Sequence, residues 1–274
     1  MEHKKAIFIT CFVALLWSVA GLNIKMIAWS PYAIAGGRSL CAVLFLLPVV
    51  AKYRPFKVDK YVVGGAVCYA LFNYCYIMST KLTTSANAII LQYTAPIYVA
   101  LLSWLFLKEK ISKADIISMT FVAFGMGLFF LDEAGGGTPR GNFIAVFNGI
   151  TFAGICIFLH LQKNGTPILS MYLGNVLSVI IGLPFVLKAG MPSLISVFYL
   201  VLAGGLFALT YALYARASKG LSPLEIVLIP IIDPVMNPVW VYLILGEKPG
   251  LISIVGGIIV LVAVTGRIIY GMKR

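Results

Sequence analysis

Apolar residues run along this chain in long blocks, separated by short polar, glycine or proline breaks. Each block has about the twenty residues that a helix needs to cross a hydrocarbon layer. The pattern predicts helices over ten ranges, here called spans 1 to 10: 5–28, 31–52, 59–80, 84–107, 111–131, 141–162, 166–188, 193–216, 221–245 and 249–271. The connections are too short for a soluble domain. The longest, with Gly135-Gly136-Gly137, divides the chain into units 1–133 and 141–274 joined by 134–140.

Composition agrees with the pattern. With 61% hydrophobic and 11% charged residues and a mean hydropathy of +1.00, the chain lacks the polar surface that a soluble globule of 274 residues needs. The net charge of +12 would suggest nucleic acid in a soluble protein. Here the cations lie mostly between apolar blocks, where they set orientation instead. With the N-terminus inside, fifteen Lys and Arg fall on the inner side and five on the outer side (Lys25, Lys81, Arg140, Lys188 and Lys248), while Arg38 lies within span 2. This bias predicts a multi-pass protein of the inner or plasma membrane with both termini cytoplasmic. Lys4-Lys5 before an apolar run resembles a leader, but the run is long enough to span and reads as a retained helix.

The two units also match each other. At a constant offset of 138 residues Lys81 meets Lys219, Pro96 meets Pro234, Leu105 and Leu107 meet Leu243 and Leu245, and Glu109-Lys110 meets Glu247-Lys248. A tandem copy of an odd number of spans must enter the membrane upside down. The expected fold is therefore all-α and integral to the membrane, with ten transmembrane helices in two inverted five-helix repeats.

Several local features carry a resemblance. They are Leu16-Trp17-Ser18 with Asn23, then Pro31 and Arg38, then Pro96 with Leu107-Lys108-Glu109-Lys110, and in the second unit Ser222-Pro223, Pro234 and Leu245-Gly246-Glu247-Lys248. Over essentially its whole length the chain resembles the ten-helix EamA-type transporters of the drug/metabolite transporter superfamily. Thr151, roughly where the second unit would repeat Trp17, departs from the pattern. The resemblance implies a basket of helices around a central cavity lined by spans 1, 3, 4, 6, 8 and 9, with spans 5 and 10 peripheral. It also implies transport of small metabolites, often amino acids or related compounds.

Polar groups within lipid are costly and each needs a reason. Span 9 holds the densest set: Glu225, Asp233 and Asn237, interleaved with Pro230, Pro234 and Pro238. Each proline removes a backbone donor and kinks the helix, so the segment around Asp233 is the expected wall of a site. Two readings stay open for Asp233: solute or proton binding, or satisfaction of the backbone that Pro234 or Pro238 frees. Glu225 fits a capping box with Ser222 as well as a coupling role. Arg38, after Gly36-Gly37, reads either as tied to helix-end carbonyls or a carboxylate, or as a contact for a solute carboxylate. Trp17, Tyr76, Tyr93, Tyr211 and Tyr214 are candidate cavity aromatics that would hold a cation or stack a ring, and Gln92 and Asn148 are candidate polar lining. Pro96 and Pro234 shape the broken spans.

The five cysteines lie within apolar blocks and read as small buried hydrophobes. No spacing points to a metal or cofactor, and His160 reads as an interfacial side chain. No nucleophile elbow, zinc motif or phosphate loop is present, so the chain is not read as an enzyme; an intramembrane enzyme or a channel is a remote alternative. The expected partners are a small-molecule solute, the lipid bilayer and, for coupling, protons. Oligomerisation is not required. The expected function is secondary transport of a small amphipathic metabolite, with proton-coupled export of organic cations or drugs as the alternative.

Overall fold

The structure, a computed structural model, describes residues 2–53, 56–108, 113–131, 137–162, 165–246 and 250–272. Every regular element among them is helical. Span 1 holds α1 (His3–Trp17) and α2 (Ala20–Lys25); spans 2 and 3 are α3 (Pro31–Ala51) and α4 (Lys60–Leu82). Span 4 is broken into α5 (Ser85–Gln92), α6 (Ala95–Leu102) and a π-helical turn (Ser103–Leu107). α7 (Lys113–Leu131), α8 (Pro139–Leu161), α9 (Pro167–Ala189) and α10 (Leu194–Ala217) fill the next four. Span 9 is broken into α11 (Pro223–Leu228), a 3-10 turn (Ile229–Ile231) and α12 (Ile232–Leu245), and α13 (Leu251–Met272) follows. Among the described residues seven helical stretches are long and apolar enough to cross a membrane, which makes this a multi-pass helical membrane protein. The Glu109-Lys110 and Glu247-Lys248 pairs, and residues 134–136 of the connection between the units, lie outside the described residues.

Local sequence explains where the helices begin. Ser30-Pro31, Thr138-Pro139 and Ser222-Pro223 each place a hydroxyl at the N-cap and a proline in the first turn, where no backbone donor is lost. Asp59 caps α4 by accepting from Tyr61 N and Val62 N.

Packing then assembles the bundle. α3 lies against α9 with Gly36 and Gly182 face to face, so close that a Cβ on Gly182 would sit 2.5 Å from Gly36 Cα. α4 packs on α8 and α9, α10 packs on α1 and α3, and α7 and α13 pack chiefly on each other. Where α1, α4, α8 and α10 meet, Trp17, Phe72, Phe152 and Tyr211 interlock with ring centroids 5.2 to 6.2 Å apart. Large apolar side chains such as Phe8, Leu44, Phe106 and Leu243 point outward, as a hydrocarbon solvent allows.

Candidate functional site

The site begins with the two broken spans, and prolines account for the breaks in span 9. A proline has no N–H for the carbonyl four residues earlier, so Pro230 frees the carbonyl of Ile226 and Pro234 frees that of Pro230. A carbonyl freed inside a membrane bundle needs a substitute donor. Tyr214 Oη donates to Ile226 O at 3.0 Å, and Tyr93 Oη donates to Pro230 O. The second donor comes from the break in span 4, so the two discontinuities are bonded to each other. In span 4, Pro96 stands in the first turn of α6, and Thr94 Oγ1 donates to Leu91 O at 2.7 Å. Gly149 lets α8 come in close here, because a Cβ there would lie 2.9 Å from Gln92 O.

Beside the joined breaks lies a cavity walled by Trp17, Phe72, Tyr76, Gln92, Phe207, Tyr211 and Asp233, with Ala20, Ile89 and Phe152 completing it. Its volume is about 10 Å³, room for roughly one water. Asp233 is 2% exposed, and its Oδ1 has no hydrogen-bond partner. The carbonyls freed by Pro230 and Pro234 already have tyrosine donors, so Asp233 is not needed for those two; the carbonyl that Pro238 frees is that of Pro234, next to Asp233 in the chain. Trp17 is held in place by donation from Nε1 to Thr210 Oγ1 at 2.9 Å. The wall is thus largely aromatic, with one carboxyl and one amide.

Three comparisons bear on what this arrangement belongs to. A solved crystal structure of another protein superposes with a TM-score of 0.71 over 98% of this chain and 99% of that one, at 15% identity, which shows a shared fold. A protein of Archaeoglobus fulgidus described as an uncharacterized transporter is 28% identical over 177 residues, 63% of this chain and 55% of that one. The chain therefore matches about half the length of that relative. The sequence profile of the EamA-like transporter family matches residues 4–131. Over that stretch, a little under half of the chain, the sequence is similar to the EamA-like transporter family.

The EamA-like stretch contributes Trp17, Phe72, Tyr76 and Gln92 to the cavity, and the second half contributes Phe152, Phe207, Tyr211 and Asp233. Of the residues expected to line a site, the structure brings Trp17, Tyr76, Gln92, Tyr211 and Asp233 together. Tyr93 and Tyr214 stand behind the wall with their hydroxyls committed to backbone. Asn148 also stands behind it and donates to Gln92 Oε1 at 2.7 Å, which orients that lining amide. Pro96 and Pro234 are buried at the breaks. Asn237 is buried one turn beyond Asp233, with its amide against Gly21.

Two charged candidates sit elsewhere. Glu225 closes a capping box with Ser222 and also meets His3, with Oε1 2.9 Å from Nε2, at an exposed end of the bundle. Arg38 is buried and donates through Nη2 to Asn73 Oδ1, while Asn73 Nδ2 donates to Ser39 Oγ at 3.0 Å. Its guanidinium carbon lies 3.8 Å from the ring centroid of Phe207, so a cavity-lining ring carries the cation on one face. The expected carbonyl or carboxylate partner is replaced by an amide and an aromatic face. Sequence reasoning missed Phe72, Phe152 and Phe207: in helices apolar on every side, nothing distinguishes a cavity phenylalanine from a lipid-facing one.

Proposed function

We propose that the chain is a secondary carrier of a small amphipathic metabolite, with amino acids or related solutes as the first class. It works by alternating access between two inverted five-helix halves in the inner or plasma membrane, both termini being cytoplasmic. The observation that carries this reading is Asp233: a buried carboxyl on a cavity wall, beside two proline-freed carbonyls that Tyr93 and Tyr214 already satisfy. An ionised carboxyl without a partner is expensive in such a setting. A cationic group of the solute, or a proton, would meet it.

Repeated details support the two-halves reading. Lys81 Nζ donates to Ile27 O at 2.7 Å and Lys219 Nζ to Gly165 O at 2.8 Å, each across 54 residues, and both partners are related by the offset of 138. Thr84 caps α5 by accepting from Asn87 N, as Ser222 caps α11 by accepting from Glu225 N, at the same offset. The packing of α4 on α8 is matched by α10 on α1, the same pair with the halves exchanged. A cavity with space for roughly one water suits an occluded conformation. Contacts at the start of each broken span are candidate gates: His3 to Glu225 at one, and Thr83 and Asn87 to Asn142 at the other.

The test is a thermal-shift screen of the purified protein against amino acids, amines and quaternary ammonium compounds, followed by counterflow of labelled hits in proteoliposomes. Saturable counterflow is the expected result; flux without counterflow would make the protein a channel, and chemical change of the solute would make it an enzyme. The aromatic wall around an unpartnered carboxyl favours one second reading, export of organic cations in exchange for protons. Hits confined to cations, with transport driven by a pH gradient, would select it.

A further inference from the structure

Where the ends of α3, α9 and α10 meet, a second hollow of about 520 Å³ opens on the outside of the bundle. One stretch of its wall is apolar, formed by Val49, Ile168, Leu209 and Leu213. The other end carries Arg216 and Lys219, with Tyr53 and Thr166 beside them. Both cations are exposed, and Lys219 spends one of its three donors on Gly165 O. None of the segments lining the hollow contains an acidic residue: the sequence has none from residue 3 to 58 or from 134 to 224. Among the described residues no carboxylate pairs with Arg216.

The geometry points to a binding site for an anionic phospholipid, with its phosphate on Arg216 and Lys219 and an acyl chain along Val49, Leu209 and Leu213. A soluble anion would use the cations but not the apolar wall, which stays open sideways, with Leu209 49% and Val49 37% exposed. A zwitterionic lipid would fill the wall but leave two like charges without net compensation. The site belongs to one side of the molecule only. At the offset of 138, Lys219 corresponds to Lys81 but Arg216 corresponds to Met78, so this pair of cations is not repeated in the other half. Under the proposed topology the charged side is cytoplasmic. α10 carries Arg216 near its end, just before Lys219, and Phe207 and Tyr211 in the cavity wall, so a bound lipid braces a helix that shapes the central site.

The test uses the full chain in a neutral detergent and follows thermal unfolding with added phosphatidylglycerol, phosphatidylcholine or inorganic phosphate. Phosphatidylglycerol is expected to raise Tm by about 3 to 5 °C over phosphatidylcholine through binding to the native state, and inorganic phosphate to leave it unchanged. Arg216→Gln should lose at least half of that shift, Arg216→Lys should keep most of it, and Lys57→Gln, an exposed cation outside the hollow, should behave as the parent protein. Lipid-bound mass spectra of the same variants read occupancy independently of their folding stability. Equal shifts with phosphatidylcholine, a shift with inorganic phosphate alone, or equal losses in the Arg216→Gln and Lys57→Gln variants would overturn the proposal.

Discussion

The two broken helices have one design and two chemistries. α5 and α11 start with a hydroxyl cap, Thr84 and Ser222, each accepting from the N–H three residues on. Both spans break midway, and Pro96 and Pro234 stand at matching places after the break. Yet the residue before the proline is Ala95 in one and Asp233 in the other, and the third residue after the cap is Asn87 in one and Glu225 in the other. Asn87 donates to another amide, Asn142, whereas Glu225 meets His3. Backbone requirements hold the caps, prolines and breaks in place in both copies. Glu225 still answers to the backbone through its capping box, whereas Asp233 stands on the cavity wall, where the proposed function places the solute.

The comparison can be broken at several levels, and transport should respond most. Asp233→Asn is expected to lower counterflow by about 10- to 100-fold, the worth of one hydrogen bond to a charged group, while Ala95→Ser stays within about twofold. Tyr93→Phe removes the donor to Pro230 O and should cost about 1–3 kcal/mol in unfolding free energy, the penalty for a buried carbonyl left unsatisfied. Tyr214→Phe should cost a similar amount through Ile226 O. The paired lysines should separate by burial: Lys81→Gln is expected to cost about 1–2 kcal/mol, and the more exposed Lys219→Gln less than about 0.5 kcal/mol. Glu225→Ala should fall between the two lysines, at about 0.5–1 kcal/mol of capping. Thermal unfolding in detergent measures all of the stability changes.

Much of this was legible in the sequence because lipid imposes strong rules. Helix lies in each predicted range, and the clustered prolines of span 9 announced its break. The role of Asp233 was harder to read. Whether it repairs the backbone depends on which other donors reach Ile226 and Pro230, and those donors, Tyr214 and Tyr93, come from α10 and from the other broken span. Glu225 carried its cap in the local pattern but not its partner, since His3 lies 222 residues away. Arg38 announced that it needed company, yet the polarity of span 3 did not single out Asn73, and Phe207 looks like any apolar neighbour. Phe72, Phe152 and Phe207 escaped notice because an aromatic ring without a polar handle carries no mark of which side it faces.

The central claim is that Asp233 serves the solute and not the fold. Measuring thermal stability and proteoliposome counterflow on one preparation of the Asp233→Asn variant tests it most directly. The account predicts a Tm equal to or above that of the parent protein, because a buried carboxyl without a partner is a liability to the folded state, together with lost counterflow. Unchanged counterflow, or a loss that merely follows a fall in Tm, would contradict it.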